Sequence, residues 1–361
     1  MTRTVPVGVG EPATEPGDVL PAPSAPAQGR PSVLSRIRDA IFRYGLLILL
    51  AALVVAFAVT QPAFFTAFNL LSILLSVAVV AIVALGVTVS MSVDGFDLSV
   101  GSNVSLTVMV TAASLVYWGL GPIVSPLVGL AVGTAVGLIN GLLIVVARVP
   151  DMIATLGTMF VFAGASLLIT AGQSVANGSG YQGAAPGGEF TDAFTWIGQG
   201  DVVGVPVPVI VLVVVTVAVI VFLARTRSGR LLRAVGGNRE AARLAGARVG
   251  RLRVLAYVVS GFLAGLGGVL LTARLGRGDV NVGADYLLQA VSATLIGFAV
   301  LGANRPNPFG TVVGAVFVGV VLNGLTMLNA PYYAQDFVQG LLLVGALVVS
   351  FSALFNRRAH R

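Results

Sequence analysis

Apolar stretches of about 20 residues recur from Tyr44 to Leu354, each long enough as a helix to cross a hydrocarbon core of about 30 Å. They lie near 44–60, 70–91, 99–117, 122–147, 152–171, 205–223, 253–273, 286–302, 309–328 and 334–354. An open strand edge in lipid leaves its backbone groups unsatisfied, so segments of this kind must be helices. The composition agrees: 57% of residues are hydrophobic and 10% charged, far from the usual soluble balance. The expected fold is an all-α integral membrane protein of about ten transmembrane helices. Residues 41–356 form the polytopic domain, flanked by a tail over 1–40, rich in Pro, Ala and Gly and expected to be disordered, and by a short basic tail over 357–361.

The arginines set the expected orientation, because short cytoplasmic loops carry the basic excess. With the first tail inside, alternation places Arg36, Arg38 and Arg43, then Arg148, the run from Arg225 to Arg253, Arg305 and the final Arg357 to Arg361 in the cytoplasm. The segments 61–69 and 172–204 lack arginine and fall outside; only Arg274 and Arg277 oppose the rule. Both termini are therefore expected in the cytoplasm of an inner-membrane protein.

The net charge of +7 is explained by this topology, since the arginines lie between apolar runs and not along one polar face, as nucleic-acid binding would require. The chain has neither lysine nor cysteine. The phosphate-loop ATPase motif, which needs its lysine, and thiolate nucleophiles or metal sites are thereby excluded. His360 lies in a basic tail, where a solvated charge cluster is the expected role. No catalytic residue, metal site or cofactor is expected in this chain.

Three segments carry functional wording. The first, from Arg225 to Arg253, holds nine arginines and one acid, and includes GGNREAARLAG. Gly236 and Gly237 are expected to break the chain, Asn238 to cap a short helix over about 239–247, and Glu240 to favour its first turn. Such a helix is expected to lie along the membrane surface, the alternative being a basic loop that only fixes topology. The second is NGLLIVVARVPDMIATLGTM, Asn140 to Met159, and the third is DLSVG, Asp97 to Gly101. Small residues such as Gly261, Gly265, Gly267 and Gly268, or Gly310, Gly314 and Gly319, are expected to let helices approach closely.

Glu240, Ala241, Ala242 and then Gly246 resemble the Glu-Ala-Ala-x-x-x-Gly loop of ATP-binding-cassette importer permeases, and the other segments resemble the ribose-type monosaccharide permeases. The likeness is closest over 70–275 and extends more weakly over 44–354. It implies a cytoplasmic coupling helix, carried by Gly237, Asn238, Glu240, Ala241, Ala242, Leu244 and Gly246, that docks on a separate ATPase subunit. ATP would be bound by that partner. It also implies an extracytoplasmic solute-binding protein and a second permease copy, with a homodimer favoured by symmetry. The loop 172–204 is either the binding-protein docking surface or an inert connection.

The chain departs from the family at Asp94, where glycine is usual, and over Gly297 to Gly310, where GFAVLGANRPNPFG replaces a GGTSLxGGxGS-like element. Pentose specificity therefore does not carry over. Asp97 either caps the following helix from a surface turn, the favoured reading, or lines a re-entrant break in the path. Asp97, Ser99, Asn103, Asn140, Phe298, Asn304 and Asn323 are the candidate path residues; helix-to-helix bonding is the alternative role of the three amides within spans, Asn103, Asn140 and Asn323. An ion-coupled transporter is the rival class, but it would normally show ionisable residues within the spans. Within the importer class, nucleosides, branched-chain amino acids or a signalling sugar derivative are alternative cargoes.

Overall fold

The computed structural model describes residues 33–280, 282–299 and 305–358, with side chains described over 44–280, 282–298 and 305–348. The chain divides into a unit of Met1–Asp39, of which the described part opens the first helix, and a unit of Ala40–Arg361. Thirteen α-helices occur among the described residues: α1 (Val33–Thr60), α2 (Ala67–Met91), α3 (Val100–Val116), α4 (Gly121–Val145), α5 (Asp151–Thr170), α6 (Asp192–Gln199), α7 (Val207–Arg225), α8 (Arg227–Gly237), α9 (Arg239–Leu244), α10 (Val249–Leu275), α11 (Gly283–Ala299), α12 (Pro308–Met327) and α13 (Tyr332–Arg358). Between α6 and α7 a two-residue antiparallel pair joins Asp201–Val202 to Val205–Pro206. Each expected span overlaps one helix, the end of the 286–302 span lying outside the described residues. The first helix begins at Val33, inside the stretch expected as a tail.

Six helices, α2, α4, α5, α7, α10 and α12, are long and apolar enough to cross a membrane; α3 and the Tyr44–Thr60 part of α1 are shorter apolar helices. Local chemistry sets many ends. Thr66 and Thr226 cap α2 and α8 with their hydroxyls, proline opens α4, α7 and α12, and Gly276 closes α10 at a φ of 62°.

The centre of the bundle is α3, every residue of which is buried. It is enclosed by α4, α5, α10 and α11. Because lipid is as apolar as leucine, such helices are held by close packing and interhelical hydrogen bonds. The α4–α10 seam shows how. A Cβ on Gly133 would lie 2.6 Å from the Gly265 Cα, and one on Gly261 would lie 2.7 Å from the Gly137 Cα. Across this seam the Asn103 side-chain amide of α3 donates to the Gly133 carbonyl at 3.0 Å and the Gly261 carbonyl at 3.2 Å.

Connections sort onto two faces. On one, the turn after α3 meets the α5–α7 loop, where Gly187 and Gly188 donate to the Val116 carbonyl, and Val175 pairs with Gly278 beyond α10. On the other lie the turns after α2 and α4 together with α8 and α9. This second face carries Arg148 and the arginines of 225–253, and is the arginine-rich face.

Candidate functional site

The arginine-rich face is built around the break between α2 and α3. Ser92 to Ser99 leave the helical path there, and Asp94 adopts a φ of 56°, a left-handed conformation natural to glycine and tolerated by Asp. The aspartate at the usual glycine position thus keeps the turn and adds a carboxylate. Gly95 allows close approach: a Cβ there would lie 2.7 Å from the Tyr257 hydroxyl and 2.9 Å from Asp151 Oδ2. Tyr257 donates to Asp151 Oδ2 at 2.9 Å, and Arg253 pairs with the other oxygen of that carboxylate.

Within the break, Asp97 turns inward. It is buried, and its Oδ1 accepts from the Ser99 backbone NH at 3.0 Å and the Ser99 hydroxyl at 2.7 Å, while Oδ2 accepts from the Ser260 hydroxyl of α10 at 2.8 Å. The expected surface turn is corrected here. Asp97 does bond the backbone at the start of α3, as a capping residue would, but it does so from inside the bundle, because Ser260 and Ser99 satisfy it there. Asn140 of α4 extends the network, donating to Ser99 Oγ at 2.6 Å and accepting from the Thr158 hydroxyl of α5 at 2.6 Å. One buried polar chain therefore joins the break to α3, α4, α5 and α10.

The α8–α9 segment lies directly against the outer side of this break. The Arg239 guanidinium donates to the Asp94 carbonyl at 2.8 Å and to the Val93 carbonyl at 3.5 Å, and meets Asp94 Oδ2 at 3.4 Å. Gly236 is pressed on the Ser92 carbonyl, so closely that a Cβ would collide with it. Gly236 and Gly237 are the last two residues of α8, and the chain breaks directly after them at the extended Asn238, while Gly236 also serves contact. The helix α8 itself was not expected, although Leu231, Leu232 and Val235 give it a helical apolar stripe and Thr226 a cap.

The short helix α9 bears out the expected start. Asn238 Oδ1 accepts from the Ala241 NH at 2.9 Å, and Glu240 in the first turn pairs with Arg243 at 2.8 Å. Gly246 follows at a φ of 85°, where a side chain would be strained. Of the residues expected to dock, Ala241 is exposed and Leu244 is 80% exposed, whereas Ala242 is only 7% exposed and packs into the chain's own core. The helix ends at Leu244 and not near 247.

The remaining candidate path residues are dispersed. Asn323 of α12 exchanges two amide hydrogen bonds with Asn69 of α2, at 2.8 and 3.2 Å, on the face opposite the break. Phe298 is half-buried near the end of α11, and Asn304 lies outside the described residues. In this arrangement Asn103, Asn140 and Asn323 all use their amides to join helices.

Residues 69–347 match the family described as the permease component of branched-chain amino acid transport systems. The chain is 36% identical over 303 residues to the ribose import permease protein RbsC of Escherichia coli K12, covering 84% of this chain and 92% of that protein. The chain belongs to this permease family. Further relatives are RbsC of Bacillus subtilis 168, at 34% over 298 residues and 82% and 89% of the two chains, and the L-arabinose transport system permease protein AraH of E. coli K12, at 31% over 306 residues and 85% and 89%. No solved structure matches. These relatives are transport proteins, and with the six long apolar helices they establish this permease as a multi-pass membrane protein.

Proposed function

We propose that this chain is the membrane permease of an ATP-binding-cassette importer that carries a monosaccharide inward. The observation that carries this reading is the seating of α8–α9 on the break that leads into the buried Asp97 network, in a chain aligned along most of its length with ribose and arabinose permeases. A displacement of α9 pulls on the backbone carbonyls of Val93 and Asp94. Three residues farther on, the same strand of chain is bonded to α10 through Asp97 and Ser260.

On this reading the ten helices α1–α5, α7 and α10–α13 span the inner membrane, the arginine-rich face is cytoplasmic, and both termini lie inside. An ATPase subunit docks on α8–α9 through Gly237, Asn238, Glu240, Ala241, Leu244 and Gly246, and itself binds the ATP. A solute-binding protein docks on the opposite face over 172–204, and two permease copies pair in the complex. The solute route passes the break at Asp97 and Ser99 and the 297–310 segment with Phe298 and Asn304. That segment's departure from the family wording supports a cargo other than a simple pentose.

The test is uptake into proteoliposomes holding the permease, its ATPase and its binding protein. Radiolabelled monosaccharides accumulate with ATP alone and are unaffected by a protonophore. Uptake by the permease by itself that collapses with the proton gradient would instead establish ion coupling.

A further inference from the structure

The arginine-rich face holds a cavity of about 390 Å³ whose wall combines Arg148, Arg239 and Arg253 with Asp151, Val145 and Val149. It sits where α4 ends, α5 begins and α10 enters the bundle, beside but distinct from the Asp97 network. Of its three cations Arg253 is paired with Asp151 and Arg239 with Asp94 of the neighbouring break, so the uncompensated positive charge is that of Arg148. Asp151 is already committed to Arg253 and Tyr257.

Two features are left over once internal pairing is complete. Arg148 makes no hydrogen bond or ion pair among the described residues, and its backbone is held at a φ of 58°, a strained conformation for a long side chain and one that concentrates at ligand sites. Arg253 Nε is buried without a partner, although the same guanidinium is paired through its terminal nitrogen. Buried donors of this kind are ordinarily satisfied, and the group that satisfies several arginine donors at once is an oxyanion such as phosphate.

The surroundings indicate where such a phosphate comes from. Val146, Met152 and Ile153, on the segments flanking the cavity, are 72%, 60% and 64% exposed, an apolar margin beside the arginines. A basic pocket between helices on the cytoplasmic side, with apolar surface next to it, suits an anionic headgroup and the start of its acyl chains. We propose that the Arg148–Arg239–Arg253 cavity binds a phosphate oxyanion, supplied by the headgroup of an anionic phospholipid. Arg239 also grips the α2–α3 break, so occupancy of the cavity is felt at the same backbone that α9 touches.

The experiment uses the full-length permease in nanodiscs of phosphatidylcholine with a minor fraction of phosphatidylglycerol, transferred to mild detergent and measured by native mass spectrometry for retained lipid. The wild type retains phosphatidylglycerol preferentially, Arg148→Gln weakens retention by about tenfold, the effect of one charge-assisted hydrogen bond, and Arg148→Lys keeps part of it. Millimolar inorganic phosphate competes only weakly. Phosphate that binds with equal Arg148 dependence in lipid-free detergent, while phosphatidylglycerol retention ignores Arg148, overturns the lipid source. Equal retention of phosphatidylglycerol and phosphatidylcholine by the wild type and Arg148→Gln, with no phosphate binding, overturns the site. So does an Arg148→Gln effect confined to copurification of the ATPase, which would make Arg148 a contact for a protein carboxylate.

Discussion

Asp97 is the residue on which most of the buried chemistry converges. Its two oxygens satisfy the Ser99 NH, the Ser99 hydroxyl and the Ser260 hydroxyl, and among the described residues no arginine is bonded to it. Removing the acceptor leaves buried donors unpaired, so Asp97→Ala is expected to destabilise the membrane domain by about 2–4 kcal/mol, read as an earlier thermal unfolding of the detergent-purified protein. Asp97→Asn keeps an acceptor toward Ser99 and can donate to Ser260 Oγ, and should unfold close to the wild-type temperature. An alanine variant as stable as wild type would remove Asp97 from the framework. At this scale the sequence was informative about identity and weak about depth. DLSVG marked the residue, but span parity put it at the surface, because the partner that makes burial affordable, Ser260, is distant in sequence. Ala242 misled in the same way: smallness was legible, but which face of α9 turns inward depends on packing against the core.

Among elements, the α4–α10 seam is the clearest case of sequence determining structure. Glycine recurs every fourth residue at 129, 133, 137 and 141 on α4, with Gly133 and Gly137 facing Gly261 and Gly265 on α10 and Gly141 facing Val254. A Cβ on Gly137 would run into the Tyr257 carbonyl, a backbone atom that cannot swing aside. Gly137→Val is therefore expected to cost about 1–3 kcal/mol or more, whereas Gly164→Ala on α5, where a Cβ meets nothing within 4 Å, should leave stability unchanged or raise it by about 0.5–1 kcal/mol. Parallel melting curves check the pair, and equal losses would refute the seam as the discriminating contact. Apolar length located ten of the helices to within a few residues at most ends, six of them long and apolar enough to cross a membrane. It did not reveal α8, which is neither long nor apolar overall and is stabilised by its amphipathic face and the Thr226 cap.

For the whole molecule the account predicts a topology and a direction of coupling. The opposite-face contacts of Val175 with Gly278 and of Gly187 with Val116 agree with the alternation that arginine placement implies. Ser174 is exposed on that face, so Ser174→Cys in this cysteine-free chain should react with an impermeant thiol reagent in intact spheroplasts; labelling only after permeabilisation would invert the topology. Cargo was the least legible property, because the 297–310 segment departs from the family wording and Asn304 falls outside the described residues. The central claim is that α9 transmits work from a partner ATPase, and its exposed Leu244 offers a clean probe, since 80% exposure means that a charge there stays solvated without disturbing the fold. The most direct measurement is solute-stimulated ATP hydrolysis by the assembled complex, comparing wild type with Leu244→Glu. The account predicts normal insertion and melting of the variant with at least about a tenfold loss of stimulated hydrolysis, the cost of one anchor in a docking interface; full stimulation with intact assembly would contradict it.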